Sequence, residues 1–523
     1  MHEFTIFSID DFKKIKSYLD TLPDELVKSG TIEEPSDKIR ELVHEKFAIT
    51  NNVNEIYEYY KVNSAPYIDY LASNYKYYYA FSDIHADLIS FFMTLIQNDI
   101  IGFYDNDVKI DKNDIITNCI TRYSKINILE EYLCKYKLKL LISNAIIFVL
   151  GDVIDGSRNG RQIINQTKFD ELIIHAILYN IRILGKDVNS KLVITLGNHD
   201  YFSFFTSERL MDPYIDCQTL TYFGQVQRKQ ILGSFYLFDA SFFEIIKKDD
   251  KILGILCHGS FSMMDNLFED VNLENLIELK KRASQFLFDL VYKKGDIVVE
   301  NIELNDTSIK KLSVEQVVLN ITQSRRIPLD LGTSIGTTCE NIKNYISDNG
   351  FMVIGHCITG QYISQFGKFD GIDSDCKTRT NKSKHDCISV NCIFNKIPKI
   401  IMVDNAWASH NSSENAGKYN EPVLCEHSSE QITVSLGPPT FTEMLLLKTN
   451  NTESCFDFYI IRSLFQKKKS IYYKILVDSN VYVPNRIVFE KNKIIDLVDV
   501  KLGGFYKKYM KYKLKYTLLK KVT

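Results

Sequence analysis

The feature that most constrains the fold is a pattern that occurs five times: a short apolar run followed closely by an Asp, Asn or His. Each run has the length and the β-branched or aromatic content of a buried strand. The runs and the polar residues after them are Tyr78–Ser82 with Asp83 and His85, Ala145–Leu150 with Asp152 and Asp155, Leu192–Leu196 with Asn198 and His199, Ile252–Cys257 with His258, and Phe351–Ile354 with His356. Five strand ends that each offer a side chain able to bind a metal predict one site at one edge of a sheet.

The composition indicates a soluble globular protein. Its 523 residues are enough for one large domain with appendages. Hydrophobic residues make up 45% of the chain and charged residues 25%, which is typical of soluble folds. The net charge of -3 gives no reason to expect nucleic acid or an anionic membrane as a partner.

The chain is expected to be cytoplasmic and without a membrane span. The start Met1–Phe4 has neither the basic nor the apolar segment of a signal peptide. No window approaches about eighteen consecutive apolar residues. The 11 cysteines are an odd number without a repeating spacing, which favours reduced thiols in a cytosol. The sequence leaves the oligomeric state open.

The pattern of apolar residues predicts an α/β architecture from Lys76 onward, because strands alternate with helical stretches. We expect four regions: a helical N-terminal extension at 1–75, a catalytic domain at 76–437 with a helical insertion at about 262–330, a strand-rich region at 438–500 that completes or flanks the sheet, and a basic lysine–tyrosine helix at 501–523. Helices are predicted at Asp87–Gln97, Lys168–Leu184, Asp265–Tyr292 and Glu340–Ile346, and a further strand at Lys399–Val403.

The residues at the five strand ends suit a pair of metal ions. Asp152 can bridge two cations, because a carboxylate has two oxygens and four lone-pair directions. Asp83 and His85 would join it at one ion, and the ligands of the second would be Asn198, His258 and His356. Oxygen and nitrogen ligands without a thiolate favour Mn, Fe or Zn. Two cations about 3.5–4 Å apart polarise a phosphoryl group and activate water, so the pattern indicates phosphoester hydrolysis.

His199 and Asp155 lie beside the ligands in the sequence. A histidine at the rim of the site, oriented by a carboxylate, is suited to protonate a leaving oxygen. A single Asp after a strand is usually a turn former, and a single His is usually a hydrogen-bonded polar group. The occurrence of all five motifs in order favours the catalytic interpretation.

The series Asp-x-His, Gly-Asp-x-x-Asp-Gly, Gly-Asn-His-Asp, His-Gly and Gly-His, over roughly residues 76–404, closely resembles the calcineurin-like metallophosphoesterases and most of all their phosphoprotein-phosphatase branch. The resemblance implies a four-layer α/β/β/α sandwich with a dinuclear metal centre. On this model Asp83, His85 and Asp152 hold the first metal. The second is held by Asp152, Asn198, His258 and His356. A metal-bridging hydroxide would attack in line, with His199 as general acid paired with Asp155.

The sequence departs from that branch at the phosphate-binding positions. The branch usually has an Arg directly after the second Asp of its Gly-Asp motif, whereas this chain has Gly156. Four arginines are candidates to replace it: Arg158, Arg161, Arg325 and Arg326. The substitution affects the predicted substrate class more than the predicted hydrolysis.

The sequence is compatible with three functions. The first is a phosphatase that acts on phosphomonoesters, including phosphoserine or phosphothreonine in proteins. The second is a hydrolase of nucleotides or dinucleoside polyphosphates, and the third is a catalytically silent scaffold with the same fold. The lysine–tyrosine tail resembles the C-termini of proteins from giant DNA viruses, which would imply the host cytoplasm or a virion as the location.

Overall fold

In a computed structural model of the chain, the described residues are 67–85, 87–121, 128–154, 170–202, 240–259, 273–292, 301–302, 312–313, 318, 321–322, 346–356, 389–394, 397–403, 441–452 and 455–474. The predicted lysine–tyrosine helix, the predicted helix Glu340–Ile346 apart from its last residue, and positions 1–66 of the predicted extension lie outside them. None of the described helices has the length and hydropathy that crossing a membrane requires.

The first sheet has seven strands, in the spatial order β18-β17-β16-β2-β6-β7-β8. Their bounds are Tyr77–Phe81 (β2), Ala145–Leu150 (β6), Lys191–Thr195 (β7), Ala240–Ser241 (β8), Phe441–Thr449 (β16), Phe456–Leu464 (β17) and Lys469–Lys474 (β18). Strands β2, β6, β7 and β8 are parallel, and the antiparallel strands β16 to β18 extend the sheet from β2. The C-terminal strands therefore complete the sheet that carries the first three motifs.

The second sheet has six strands, in the order β1-β9-β10-β13-β15-β14. Their bounds are Ile68–Asp69 (β1), Phe243–Lys248 (β9), Lys251–Cys257 (β10), Phe351–Ile354 (β13), Ser389–Phe394 (β14) and Ile397–Met402 (β15). Strands β10, β13 and β15 are parallel to one another. Their carboxyl ends therefore lie at one edge, as those of β2, β6 and β7 do in the first sheet.

The described helices are Leu88–Gln97 (α1), Lys112–Thr121 (α2), Ile128–Lys135 (α3), Asp170–Asp187 (α4), Asn198–Phe202 (α5) and Leu273–Tyr292 (α6). Helix α1 begins one residue after its predicted start, because the Asp87 side chain accepts a hydrogen bond from the Ser90 amide at 3.0 Å and caps the first turn. Two small sheets lie outside the sandwich: β3 (Ile101–Asp105) with β4 (Val108–Lys109) and β5 (Lys137–Leu140), and the pair β11 (Asn301–Ile302) and β12 (Leu312–Ser313).

Successive side chains of each central strand enter different layers of the core. In β2, Ala80 packs between the two sheets with Phe148 and Val353, whereas Phe81 packs on the outer side with Phe91 of helix α1. Both faces of these strands are buried, which explains why their sequences are continuous apolar runs rather than alternating ones. This arrangement is the α/β metallophosphatase fold that the resemblance implies.

The structure corrects the sequence prediction in two places. Ile68–Asp69, predicted to be helical, is a strand that pairs with β9, and Ile68 is buried between the sheets. A strand of two residues is too short to show a period of two. The three-stranded sheet and the two helices within residues 101–140 were not predicted either.

Candidate metal centre

Seven of the predicted site residues come together where the carboxyl ends of the two sheets meet. Asp83, His85, Asp152, Asn198 and His199 follow β2, β6 and β7 of the first sheet, while His258 and His356 follow β10 and β13 of the second. The carboxylates and the other imidazoles are buried, and the His199 side chain is 9% exposed. Asp155, Arg158, Arg161, Arg325 and Arg326 lie outside the described residues.

The backbone turns sharply at the ligand positions. Asp83, His85, Asp152 and His356 have φ values of 58°, 46°, 51° and 61°, in the left-handed region that non-glycine residues rarely adopt. Each such residue costs about 1–3 kcal/mol, so the surrounding contacts must hold it. The Asp83 amide donates to Gly151 O at 3.1 Å, and the His85 amide donates to Asp152 O at 2.8 Å. These bonds join the first two ligand turns to each other.

The glycines of the motifs make room for the ligands. A Cβ atom at Gly197 would lie 2.1 Å from Oδ1 of Asp152, much closer than any real contact. Oδ1 of Asp152 also accepts a hydrogen bond from the His199 amide at 3.0 Å. Gly197 therefore lets the turn that carries Asn198 and His199 close onto the carboxylate of Asp152.

Four ligand atoms converge around His258. Its Nε2 atom lies 3.1 Å from Oδ2 of Asp152, 3.2 Å from Oδ1 of Asn198 and 3.1 Å from Nδ1 of His356. Its Nδ1 atom is 2.7 Å from the Leu150 carbonyl, which can only accept, so Nδ1 carries a proton. In the neutral ring Nε2 then has a lone pair that points at other lone pairs. A cation bound among these atoms would satisfy all of them, so this donor set fits a metal ion.

A second group of ligand atoms shares Asp152. Nε2 of His85 lies 3.6 Å from Oδ1 of Asp83 and 3.5 Å from Oδ2 of Asp152. Nε2 of His199 lies 3.9 Å from the same Asp152 oxygen. Within the part of the chain that the structure describes, two sets have mutual ligand-atom distances within 4.8 Å: His85, Asp152 and His199, and Asp152, His258 and His356. Asp152 is common to both sets, and its bridging role stays a prediction. His199 belongs to one of these sets, so its position suits a ligand as well as an acid.

The electrostatics of the centre favour ionised carboxylates. Burial opposes the ionisation of Asp83 and Asp152, but the attraction of His258 holds the pKa of both carboxyls below their usual range. Burial likewise opposes the protonation of His258, yet Asp152 and Asp83 raise its pKa to about 9. The centre therefore attracts positive charge, from a proton or from a metal cation.

Two residues around the ligands were missed by sequence reasoning. The buried Asp200 carboxylate accepts hydrogen bonds from the amides of Gly197 at 3.0 Å and Val153 at 3.1 Å, and so joins the turns that carry Asn198 and Asp152. Ser82 contacts both Asp83 and the Leu150 carbonyl. The position of Asp200 as the fourth residue of Gly-Asn-His-Asp is a local signal, whereas the role of Ser82 depends on a strand 68 residues away.

Residues 77–311 match the family model described as calcineurin-like phosphoesterase. This segment, a little under half of the chain, is similar to that family. The match includes the motifs from Asp83 to His258, and His356 lies beyond its end. A domain of this family implies a hydrolase that acts on phosphoesters and uses divalent metal ions.

The chain is also remotely similar to several solved structures. A cold-active protein tyrosine phosphatase is 12% identical with a TM-score of 0.39, and the alignment covers 79% of this chain and 82% of that one. The cold-active protein-tyrosine phosphatase of a psychrophile, Shewanella sp., is 13% identical with a TM-score of 0.37 and coverages of 78% and 83%. A protein serine/threonine phosphatase from Saccharomyces cerevisiae with similarity to human phosphatase PP5 is 10% identical with a TM-score of 0.32 and coverages of 81% and 95%. No curated protein gives a significant match to the sequence.

Proposed function

We propose that the chain is a metal-dependent phosphatase that hydrolyses phosphomonoesters, with phosphoserine and phosphothreonine in proteins among its substrates. The observation that supports this best is the convergence of three ligand atoms. Nε2 of His258 lies 3.1 Å from Oδ2 of Asp152 and 3.1 Å from Nδ1 of His356. Such a donor set leaves imidazole and carboxylate lone pairs directed at a common point. It is suited to a divalent cation that displaces the proton of His258.

The ligand sets that we propose are Asp83, His85 and Asp152 for one ion, and Asp152, Asn198, His258 and His356 for the other. Bound divalent ions would supply Lewis-acid polarisation of the phosphoryl group and lower the pKa of water. The chain's own contribution is orientation: the Leu150 carbonyl fixes the tautomer of His258, and the His199 amide holds Oδ1 of Asp152. Fixed ligand orientation keeps the site ready for substrate without reorganisation.

His199 is proposed as the general acid. Its ring packs edge-on against His85, with ring centroids 5.0 Å apart, and its side chain is more exposed than those of the buried ligands. A ring at the rim can reach the leaving oxygen of a bound phosphoester and protonate it as the ester bond breaks. Asp155 is proposed to orient this ring.

A substrate panel tests the proposal. Protein stripped of metal by a chelator should hydrolyse p-nitrophenyl phosphate only after Mn, Fe or Zn is restored, and it should then act on phosphoserine peptides. Preference for a nucleotide or a dinucleoside polyphosphate over every phosphomonoester would instead support the alternative hydrolase. A protein that binds two metals per chain and turns over none of these substrates would support the scaffold.

Lysine substitutions test the four arginines that we propose as phosphate ligands. A guanidinium binds two phosphate oxygens with a planar fork that lysine cannot reproduce, so replacement keeps the charge and removes the geometry. The responsible variant among Arg158→Lys, Arg161→Lys, Arg325→Lys and Arg326→Lys should bind inorganic phosphate more weakly while keeping its metals. The fall in its kcat/KM should correspond to a loss of transition-state stabilisation of about 1.5–3 kcal/mol at most, the scale of a charge-assisted hydrogen bond. Four variants with wild-type kinetics would show that other groups hold the phosphate.

A further inference from the structure

Ser82 is a fully buried polar residue at the end of β2, directly before the first ligand turn. Its hydroxyl contacts Oδ2 of Asp83 and lies 2.6 Å from the Leu150 carbonyl. Both of these atoms are acceptors, so they share the single proton of the hydroxyl in a bifurcated hydrogen bond. Ser82 thus joins the end of β2 to the end of β6 through a side chain rather than through the ladder of the sheet.

Each acceptor that Ser82 contacts also accepts a hydrogen bond from a proposed ligand. The Leu150 carbonyl accepts from Nδ1 of His258 at 2.7 Å. Oδ2 of Asp83 accepts from the backbone amide of His356 at 2.9 Å. The result is a continuous path of hydrogen bonds from His258 through Leu150, Ser82 and Asp83 to His356.

This path leaves the other atoms of the same groups directed at the metal centre. Oδ2 of Asp83 is held by two donors, and Oδ1 lies toward Nε2 of His85 at 3.6 Å. Likewise Nδ1 of His258 is bound to the carbonyl, and Nε2 faces Asp152 at 3.1 Å. In both cases the path holds one atom of the group and the other atom faces His85 or Asp152, and the two held atoms lie 4.0 Å apart.

The Ser82 hydroxyl has room at this position because Gly355 has no side chain. A Cβ atom at Gly355 would lie 2.0 Å from Oγ of Ser82 and 3.0 Å from Oδ2 of Asp83. The space that the hydroxyl occupies is therefore reserved by the residue that precedes His356. This close approach brings the two sheets into contact at the centre.

We infer that Ser82 is a positioning residue that links the two halves of the metal centre, because its hydroxyl orients Asp83 in one half and, through the Leu150 carbonyl, His258 in the other. The inference rests on the proposed function. Asp152 is a direct bridge between the halves, and Ser82 provides a second connection that does not pass through Asp152. Contacts of this kind behind metal ligands typically change metal affinity by about 10–100-fold.

The test is a calorimetric titration of the full chain with Mn²⁺ and with Zn²⁺ that resolves each binding step. Ser82→Ala should weaken both steps by about 10–100-fold, whereas Ser82→Thr, which keeps the hydroxyl, should bind both ions nearly as the wild type does. Ser190→Ala is the matched control. Ser190 is also a buried serine whose hydroxyl makes backbone hydrogen bonds, to Ala145 and Ile142, but it lies at the opposite end of β7 from the ligand turns.

The outcomes separate the inference from the proposed function. Wild-type protein that binds neither ion would contradict the proposed metal centre itself. If the wild type binds two ions, three results would overturn the role of Ser82: an unchanged Ser82→Ala variant, a loss confined to one binding step, or an equal loss in Ser82→Ala and Ser82→Thr. Thermal unfolding of the metal-free variants provides a readout besides binding, since Ser82→Ala and Ser190→Ala should then lower the melting temperature by similar amounts.

Discussion

Buried charge is handled in two different ways in this molecule. In the pairs Glu244–Lys280 and Glu443–Arg462, a buried carboxylate faces a buried cationic side chain of the same chain. At the metal centre, the buried carboxylates of Asp83 and Asp152 face imidazoles, which are charged only if they are protonated. The first arrangement contains its own counter-charge, and the second depends on a proton or a cation from solution.

This difference separates structural from functional ion clusters. A closed pair such as Glu244–Lys280 connects β9 to α6, and its cation is part of a side chain and cannot be replaced by an ion from solution. The open cluster around Asp152 can accept an external cation, because its imidazoles can give up protons. Its backbone is held in left-handed turns, which keep the side chains directed at one point. The following predictions test this contrast in order of decreasing effect.

Asp152→Asn should produce the largest loss, because Asp152 is the residue common to both groups of ligand atoms. An amide of the same shape has a single acceptor oxygen and no charge, so both ions should bind more weakly. We expect kcat/KM to fall on the order of 10⁴-fold, about 5 kcal/mol of transition-state stabilisation. Metal content by mass spectrometry and phosphatase kinetics are the measurements. Two ions bound as tightly as in the wild type would contradict the bridging role.

His199→Ala should lower kcat by a factor on the order of 10²–10⁴ while both ions stay bound, if His199 is an acid rather than a ligand. The loss should shrink for p-nitrophenyl phosphate, whose leaving group needs little protonation, and should be largest for alkyl phosphates. Kinetics on both substrates, with metal content, decide the matter. A variant that has lost one ion would reassign His199 as a ligand of the group that contains His85.

Lys280→Met should lower the free energy of unfolding by about 3–5 kcal/mol, because it leaves the Glu244 charge buried and uncompensated. The double variant Glu244→Leu/Lys280→Met removes both charges and should recover most of that stability. Chemical denaturation with and without divalent metal is the measurement. Both proteins should show the same stabilisation by metal as the wild type, and a change in that increment would mean that the pair is coupled to the metal centre.

Metal affinity should depend on pH through His258. Its pKa of about 9 lies above the ordinary value of 6.5, so in the metal-free protein its protonation stabilises the fold fully below pH 6.5 and loses that effect as the pH rises through 9. A cation competes with this proton, so affinity should rise by up to about tenfold per pH unit until pH 9 and then level off. Calorimetry in buffers of different ionisation enthalpy counts the released protons. An affinity that is constant between pH 7 and 9 would show that no such proton is displaced.

The sequence by itself determined the strands and the Asp, Asn and His residues that follow them. The runs Ala145–Leu150 and Phe351–Ile354 are strands with the predicted bounds, and helix α1 begins one residue after its predicted start. These features are local, since a run of buried apolar residues and a polar turn are written in neighbouring positions. The order of five such turns was enough to place seven site residues together.

The tertiary structure alone decided how those residues are oriented. Strand β16 pairs with β2 across more than 360 residues of sequence, and the Leu150 carbonyl selects the tautomer of His258 from 108 residues away. Ser82 looks like the last residue of an apolar strand, yet its hydroxyl contacts Asp83 and the Leu150 carbonyl, which also accepts from His258 of the other sheet. Such contacts have no sequence period, because they arise only when separate strands pack edge to edge and face to face. The sequence predicts which groups can bind a metal, and packing determines which of their atoms face one another.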